Sequence, residues 1–142
     1  VKRVYQAVAL GRFEAAEAEI DAAIGRHPVQ RTRMAVVAAG KPAQTHYRVL
    51  RQYRRAAWVE CQLRTGRTHQ IRVHLAHVGH PLLGDSLYAG RRAMPLQFPR
   101  QALHAYRLGF LHPETGAAVH WEAPLPDDFR ALLATLETID AP

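Results

Sequence analysis

Residues 63–85 read LRTGRTHQIRVHLAHVGHPLLGD and contain three arginines, four histidines and one acid, Asp85. Part-way along this stretch the apolar side chains begin to recur at i, i+4 and i+7, at Ile71, Leu75 and Val78. That spacing is the period of an amphipathic helix. It predicts a short helix over 69–78 whose polar flank is unusually basic.

The flanking residues set the limits of this helix. Thr68 is a good N-cap residue, while Gly79 and Pro81 are stop signals. The segment AAWVECQLR at 56–64 alternates polar and apolar side chains, as a half-buried strand does. The sequence therefore predicts a strand, a turn at 65–67 and a helix.

Further strands alternate with turns along most of the chain, and an amphipathic helix closes it at PDDFRALLATLETI, 126–139. Residues 13–24, FEAAEAEIDAAI, fit either a short helix or an extended hairpin arm. The pattern predicts one α+β domain over 1–142, with a mostly antiparallel sheet and flanking helices. The remaining predicted strands are VYQAVAL at 4–10, MAVVA at 34–38, THYRVLRQY at 45–53, ALHAYRLGFLHP at 102–113 and AVHWEAP at 118–124.

Positive charge is concentrated in the middle of the chain. The 142 residues carry a formal net charge of +7, and Ala22 to Gly84 hold eleven Lys and Arg against one acid, Glu60. Such a block suits a polyanionic partner, usually nucleic acid; the alternative is a solvated surface. The single cysteine, Cys61, indicates a reducing compartment and a cytoplasmic protein. No apolar run approaches a membrane span, and we expect no membrane partner.

The histidines of 63–85 suggest a metal, but their spacing does not support one. On a helical wheel His74 and His77 share one flank without a carboxylate or cysteine at ligand spacing, and no HExxH motif occurs. We therefore predict no metal and structural roles for most of these histidines. An anion is a better fit, because Arg67, His69 and Arg72 surround the predicted helix start. Arg72, beside the apolar stripe, should have a fixed anionic partner.

The segment TGRTHQIRVHLAHVGHPLLGDSLYAG resembles the signature of the RluA-type pseudouridine synthases. VKRVYQAVALG resembles the strand that carries the family's tyrosine, and RQALHAYRLGFLHPETG and WEAPLPDDF resemble its C-terminal strands and last helix. RHPVQRTRMAVVAAGKPAQTHYRVL resembles the synthase D group, which acts on large-subunit ribosomal RNA. The resemblance covers nearly the whole chain.

This resemblance implies the pseudouridine synthase catalytic-domain fold, a mixed, mostly antiparallel sheet. It implies isomerisation of uridine in 23S ribosomal RNA without a cofactor or metal. The family's catalytic residue is an aspartate in an Arg-Leu-Asp loop that precedes the tyrosine strand, and no such tripeptide occurs here. We therefore expect the N-terminal part of the catalytic domain to be missing, with the aspartate upstream of Val1 and this fragment inactive alone.

The resemblance also assigns roles to individual residues. Tyr5 matches the tyrosine that stacks on the flipped base, and Arg72 matches the arginine that pairs with the catalytic aspartate and keeps it ionised. Asp85 and Tyr88 match a turn that we interpret as structural. The expected RNA contacts are Arg67, His69, Arg26, Arg31, Arg33, Lys41 and Arg48.

Two other functional classes compete with this interpretation. The first is an RNA-binding module without chemistry, and the second is a metal-dependent hydrolase. We expect the partner to be large-subunit ribosomal RNA, with transfer RNA as the alternative because the two groups of enzymes share these motifs. We expect a monomer.

Overall fold

The strand Lys2–Leu10, β1, lies at the centre of a six-stranded sheet. The computed structural model describes residues 2–142, and the side chains of all of these except Lys2 and Phe110. Every pairing between the described strands is antiparallel, which confirms the α+β class and the antiparallel sheet; no parallel pair occurs among them. The main strands are β1 (Lys2–Leu10), β2 (Glu17–Asp21), β5 (Gln44–Gln52), β6 (Ala56–Leu63), β7 (Leu103–Leu111) and β8 (Ala118–Glu122). Their order across the sheet is β2-β5-β6-β1-β7-β8.

The remaining elements cover this sheet. A small hairpin of β3 (Ile24–Arg26) and β4 (Met34–Val36) packs against helix α1 (Gln70–His77). Helix α2 (Ser86–Ala89) follows α1, and α3 (Asp127–Ile139) ends the chain. None of the described helices is long and apolar enough to cross a membrane.

The apolar sequence of β1 explains its central position. Ala7 and Ala9 point to one face of the sheet, where they pack with Ile71 and Leu75 of α1. Val8 and Leu10 point to the other face, where α3 contributes Phe129, Leu132 and Leu136. Alternate side chains of a strand face opposite sides, so a strand covered by helices on both sides must be apolar throughout. We call the side covered by α1 the α1 face.

Residues 13–24 contain no helix, so the extended alternative is the correct one. The segment contains β2, which pairs with β5 along its whole length and buries Ile20. Ala and Glu favour a helix locally. Pairing with a neighbouring strand and burial of one face outweigh that preference, because most of the stability of a short element comes from tertiary packing.

The start of α1 also differs from the prediction. The helix begins at Gln70, and the N-cap position is His69 in a left-handed conformation with φ of 57°, without a side-chain cap. Thr68 therefore does not cap it. Of the predicted apolar stripe, Ile71 and Leu75 are buried, whereas Val78 lies past the end of the helix and is exposed.

The segment after α1 contains the short helix α2. Asp85 is its N-cap and accepts a hydrogen bond from the Tyr88 backbone N–H at 3.3 Å. Gly84 precedes it with φ of 81°, and a Cβ there would lie 1.9 Å from the carbonyl oxygen of Arg100. Only glycine fits this close approach, which fixes the position of Asp85.

Candidate active site

Tyr5 of β1 and Arg72 of α1 line one cavity of about 330 Å³, which we call the Tyr5 cavity. It lies on the α1 face, where the end of β6, the following turn and the start of α1 meet. The structure thus brings together two residues that are 67 positions apart in the sequence. The cavity is lined by Tyr5, Leu63, Arg67, His69, Gln70, Ile71, Arg72, Gln101 and Leu103.

The guanidinium of Arg72 is held by Asp85. Nε donates to one carboxylate oxygen at 2.8 Å and Nη2 to the other at 3.0 Å. The Asp85 side chain is fully buried and that of Arg72 is 14% exposed. This hydrogen bonding raises the pKa of Arg72, although burial opposes it. An anionic partner of Arg72 is therefore present, as expected. It is Asp85 of this chain, whereas the family resemblance implied an aspartate upstream of Val1.

This ion pair leaves part of the guanidinium available. Nη1 of Arg72 makes no hydrogen bond to any of the described residues, and the side chain lines the Tyr5 cavity. Asp85, by contrast, has both oxygens engaged and no exposed side-chain surface. Asp85 can orient Arg72 but cannot reach a ligand in the cavity.

Gln70 holds the turn that leads into the site, a role that was not predicted from the sequence. Its Oε1 accepts from the Thr65 hydroxyl at 2.7 Å and from the Arg67 N–H at 3.0 Å. Its Nε2 donates to the Gln44 carbonyl at 2.8 Å and to the Thr45 hydroxyl at 2.9 Å. The side chain is 3% exposed. A glutamine next to a helix start carries no periodic signal, so only the folded turn reveals this role.

His69 is fixed by both its backbone and its ring. A non-glycine residue in the left-handed region costs roughly 1–2 kcal/mol, and such strain persists only where neighbouring contacts hold it. Here the His69 carbonyl accepts from the Val73 N–H at 2.9 Å, and its Nδ1 lies 2.8 Å from the Tyr88 hydroxyl. Burial lowers the pKa of His69, and the neighbouring Arg72 lowers it further. The imidazole is therefore neutral at neutral pH.

Two other histidines of the motif are structural, as predicted. His74 is fully buried, with Nδ1 2.8 Å from the Thr45 hydroxyl and Nε2 2.8 Å from the Ala22 carbonyl. His80 stacks on Phe13, with ring centroids 3.9 Å apart, and contacts the Leu10 carbonyl. Within residues 2–142 no group of three or more His, Cys, Asp or Glu side chains could hold a metal ion.

Three of the predicted RNA contacts surround a shallow depression of about 430 Å³ beside the Tyr5 cavity. Arg26 comes from β3, Lys41 from the loop before β5, and Arg67 from the turn before α1, so that Arg67 lines both depressions. No acid is among its lining residues. We call this surface the basic depression. Three cations without a neighbouring carboxylate make a suitable surface for an anion.

Of the other four predicted contacts, His69 lines the Tyr5 cavity, and the three arginines lie elsewhere. Arg31 is exposed in the β3–β4 turn and its carbonyl accepts from Arg26. Arg33 places its guanidinium over the ring of Tyr88, 5.0 Å from the centroid. Arg48 lies on the sheet face opposite the Tyr5 cavity, because its neighbour Tyr47 occupies the α1 face, and it pairs with Glu60 at 3.5 Å. Arg48 therefore lines neither the Tyr5 cavity nor the basic depression, and its contact with RNA stays a prediction.

A more apolar cavity of about 300 Å³ adjoins the Tyr5 cavity, and Tyr5 lines both. Arg3, Leu108 and Trp121 form a row across β1, β7 and β8 on its wall. The Tyr5 ring therefore stands between a polar cavity and an apolar one.

A sequence profile of the RNA pseudouridylate synthase family matches residues 1–77, the half of the chain that includes Tyr5 and Arg72. The chain belongs to this family. Its RNA pseudouridylate synthase fold is also found in solved structures: Human RNA Pseudouridylate Synthase Domain Containing 1 matches with a TM-score of 0.73 at 26% identity, over 99% of this chain and 67% of that one. Human RNA Pseudouridylate Synthase Domain Containing 4 matches with a TM-score of 0.75 at 24% identity, over 96% and 62%.

Curated family members from bacteria are more similar in sequence. The Ribosomal large subunit pseudouridine synthase D of Nitrosomonas europaea is 51% identical over 98% of this chain and 42% of its own length. The proteins of the same name from Pseudomonas aeruginosa and Escherichia coli are 50% and 44% identical, over 96% of this chain. The chain thus spans a little under half the length of these relatives.

Proposed function

We propose that the polypeptide containing this chain isomerises uridine to pseudouridine in large-subunit ribosomal RNA. The family membership and the names of the bacterial relatives support this substrate. The observation that carries the proposal is the shared cavity of Tyr5 and Arg72, in which an aromatic ring and an oriented guanidinium face the same space.

The reaction is an isomerisation within one nucleotide. The bond between C1′ of the ribose and N1 of uracil breaks, the base rotates, and C5 bonds to C1′; the proton lost from C5 is balanced by one gained at N1. A base must leave its stack to be reached, and an aromatic platform compensates for the stacking lost. We assign that platform to Tyr5.

The reacting carboxylate comes, in this proposal, from residues of the longer polypeptide that the present sequence does not include. Asp85 is excluded because it is buried and both its oxygens bind Arg72. Asp21 is exposed on the edge strand β2 and does not line the Tyr5 cavity. Asp140 is buried and bonded to Arg55, while Asp127 and Asp128 lie on α3 at the opposite face of the sheet. Nη1 of Arg72 is the group that would meet the incoming carboxylate and keep it ionised.

The test uses the longer polypeptide and a fragment of large-subunit ribosomal RNA, with pseudouridine formation and RNA affinity measured separately. We expect Arg72→Ala to lower turnover about a hundredfold or more while RNA affinity changes only a few-fold, because the guanidinium positions a reacting group. Arg72→Lys should rescue little, since a lysine cannot bridge Asp85 and a second carboxylate with a planar fork. Arg48→Ala, on the opposite face, is the matched control. Turnover like that of the wild type in Arg72→Ala would refute the assignment.

An RNA-binding module without chemistry is the second candidate, and the basic depression favours it independently of Tyr5 and Arg72. The two candidates separate in one experiment. The RNA-binding module is the correct function if the longer polypeptide binds the RNA but forms no pseudouridine under conditions in which the bacterial relatives form it. Formation of pseudouridine decides for the enzyme.

A further inference from the structure

Tyr88 connects the β3–β4 hairpin to the Tyr5 cavity. Its hydroxyl oxygen accepts from the Met34 backbone N–H at 3.1 Å and lies 2.8 Å from Nδ1 of His69. Its ring is within 5.0 Å of the guanidinium carbons of both Arg33 and Arg72. The residue is 9% exposed, so most of its surface is closed to water.

The hydrogen atoms of this contact can be assigned by counting donors and acceptors. The Met34 N–H can only donate, so the Tyr88 oxygen serves it as an acceptor. A buried hydroxyl must also find an acceptor for its own hydrogen, because an unpaired buried donor is costly. Among the described residues, Nδ1 of His69 is the acceptor within hydrogen-bond distance. The hydroxyl therefore donates to Nδ1, which carries no proton.

The two other states of His69 are disfavoured. The tautomer with a proton on Nδ1 would leave the Tyr88 O–H without an acceptor. The imidazolium would place a third cation beside Arg72, which lies in the same cavity, and Arg33, which lies across the Tyr88 ring. Asp85 cannot serve as the counter-charge, because Arg72 already occupies both its oxygens.

We infer that Tyr88 holds His69 as the neutral tautomer with its proton on Nε2, so that His69 offers an N–H donor to an oxygen of the nucleotide in the Tyr5 cavity and does not act as its base. The nucleotide in this statement rests on the proposed function, whereas the tautomer does not. Nε2 makes no hydrogen bond to any described residue, and the ring lines the cavity. Its partner would be an uncharged oxygen, such as a uracil carbonyl or a ribose hydroxyl, or a phosphate oxygen. Tyr88 is thus a positioning residue that acts through His69.

Nuclear magnetic resonance of the whole 142-residue chain, with ¹⁵N-labelled histidine, tests the tautomer directly. The His69 signals are identified by their absence in His69→Gln. At neutral pH we expect Nδ1 to be unprotonated and Nε2 protonated. In Tyr88→Phe, which keeps the ring between the two arginines, the Nδ1–H tautomer should become populated. Tyr53→Phe, a buried tyrosine in the other core, is the control and should change nothing at His69. A protonated Nδ1 in the wild type, or an unchanged tautomer in Tyr88→Phe, would overturn the inference.

A second pair of variants tests the donor without relying on Tyr88. The amide nitrogen of glutamine can reach the position of Nε2, whereas that of asparagine reaches only the position of Nδ1. With a uridine-containing single-stranded RNA as the probe, His69→Gln should retain affinity within about twofold and His69→Asn should lose roughly tenfold, the effect of about one lost hydrogen bond. Equal losses in both variants would contradict a donor at Nε2. These affinities are measured with the longer polypeptide. If its wild-type form binds no RNA, the proposed function fails, and the tautomer is still decided by the magnetic resonance experiment.

Discussion

The carboxylate of Asp85 binds the guanidinium of Arg72 through two of its nitrogens, Nε at 2.8 Å and Nη2 at 3.0 Å, and leaves Nη1 without a hydrogen bond to any described residue. Gly84 permits the close approach that places Asp85 there, and Asp85 in turn caps α2. One acid therefore couples the orientation of the candidate catalytic arginine to the loop that follows α1. A charged pair of this kind fixes geometry more than it adds stability.

Asp85→Asn should destabilise the chain by about 2–4 kcal/mol, because it leaves a mostly buried guanidinium without its counter-charge. Denaturant-induced unfolding measures the change in the free energy of unfolding. Glu122→Gln is the control: it removes one partner of the exposed Arg107–Glu122 pair and should cost less than about 1 kcal/mol. Equal effects of the two substitutions would show that the Arg72–Asp85 pair is no more important to the fold than a surface pair.

Gln70→Ala should cost about 2–4 kcal/mol, since four hydrogen bonds at 2.7, 3.0, 2.8 and 2.9 Å are lost at a buried position. The substitution also frees the 65–67 turn, so we expect the His69 backbone to leave its left-handed conformation. Unfolding measurements give the first effect, and backbone chemical shifts at His69 give the second. Gln62→Ala, on the neighbouring strand and half-buried, should do neither; an equally mild Gln70→Ala would mean that the backbone alone holds the turn.

Stability should fall as the pH is lowered from about 7 to about 5, because burial, the largest cause, lowers the pKa of His74. The folded chain then binds fewer protons than the unfolded chain, whose histidines titrate near pH 6.5. The stability contributed by neutral His74 is therefore fully present above about pH 6.5 and is lost as the pH falls from there through the lower pKa of the folded chain. The pKa of His69 is also lowered and acts in the same direction.

Chemical denaturation across this pH range checks the sign. In His74→Gln the slope of unfolding free energy against pH should be smaller than in the wild type, whatever the absolute stability of the variant. His120→Gln removes an exposed histidine of β8, which is not part of the His74 environment, and should leave the slope unchanged. A slope that survives in His74→Gln would assign the pH dependence to other groups.

Local periodicity was sufficient to predict most strands of the sheet and helix α3. In these elements the alternating or helical spacing of apolar residues coincides with the buried positions. It was insufficient for β2, because the helix preference of its alanines and glutamates is local whereas its pairing with β5 is not. The proximity of Tyr5 and Arg72 followed only from the family resemblance. The contacts of Gln70 and Asp85 depend on a left-handed residue and a glycine turn, and neither produces a pattern in the sequence.

The direction of the Arg48 side chain on β5 separates it from the cations of the basic depression and provides the last test. Arg26 and Lys41 face the basic depression, whereas Arg48 points to the opposite side of the sheet and pairs with Glu60. Each phosphate contact to single-stranded RNA contributes about 0.7 to the slope of log affinity against log salt. The double variant Arg26→Gln/Lys41→Gln should therefore lower that slope by about 1.4. Arg48→Gln removes the same type of charge and should leave the slope of the wild type. A slope that drops equally in Arg48→Gln would mean that the RNA responds to net charge and not to the basic depression.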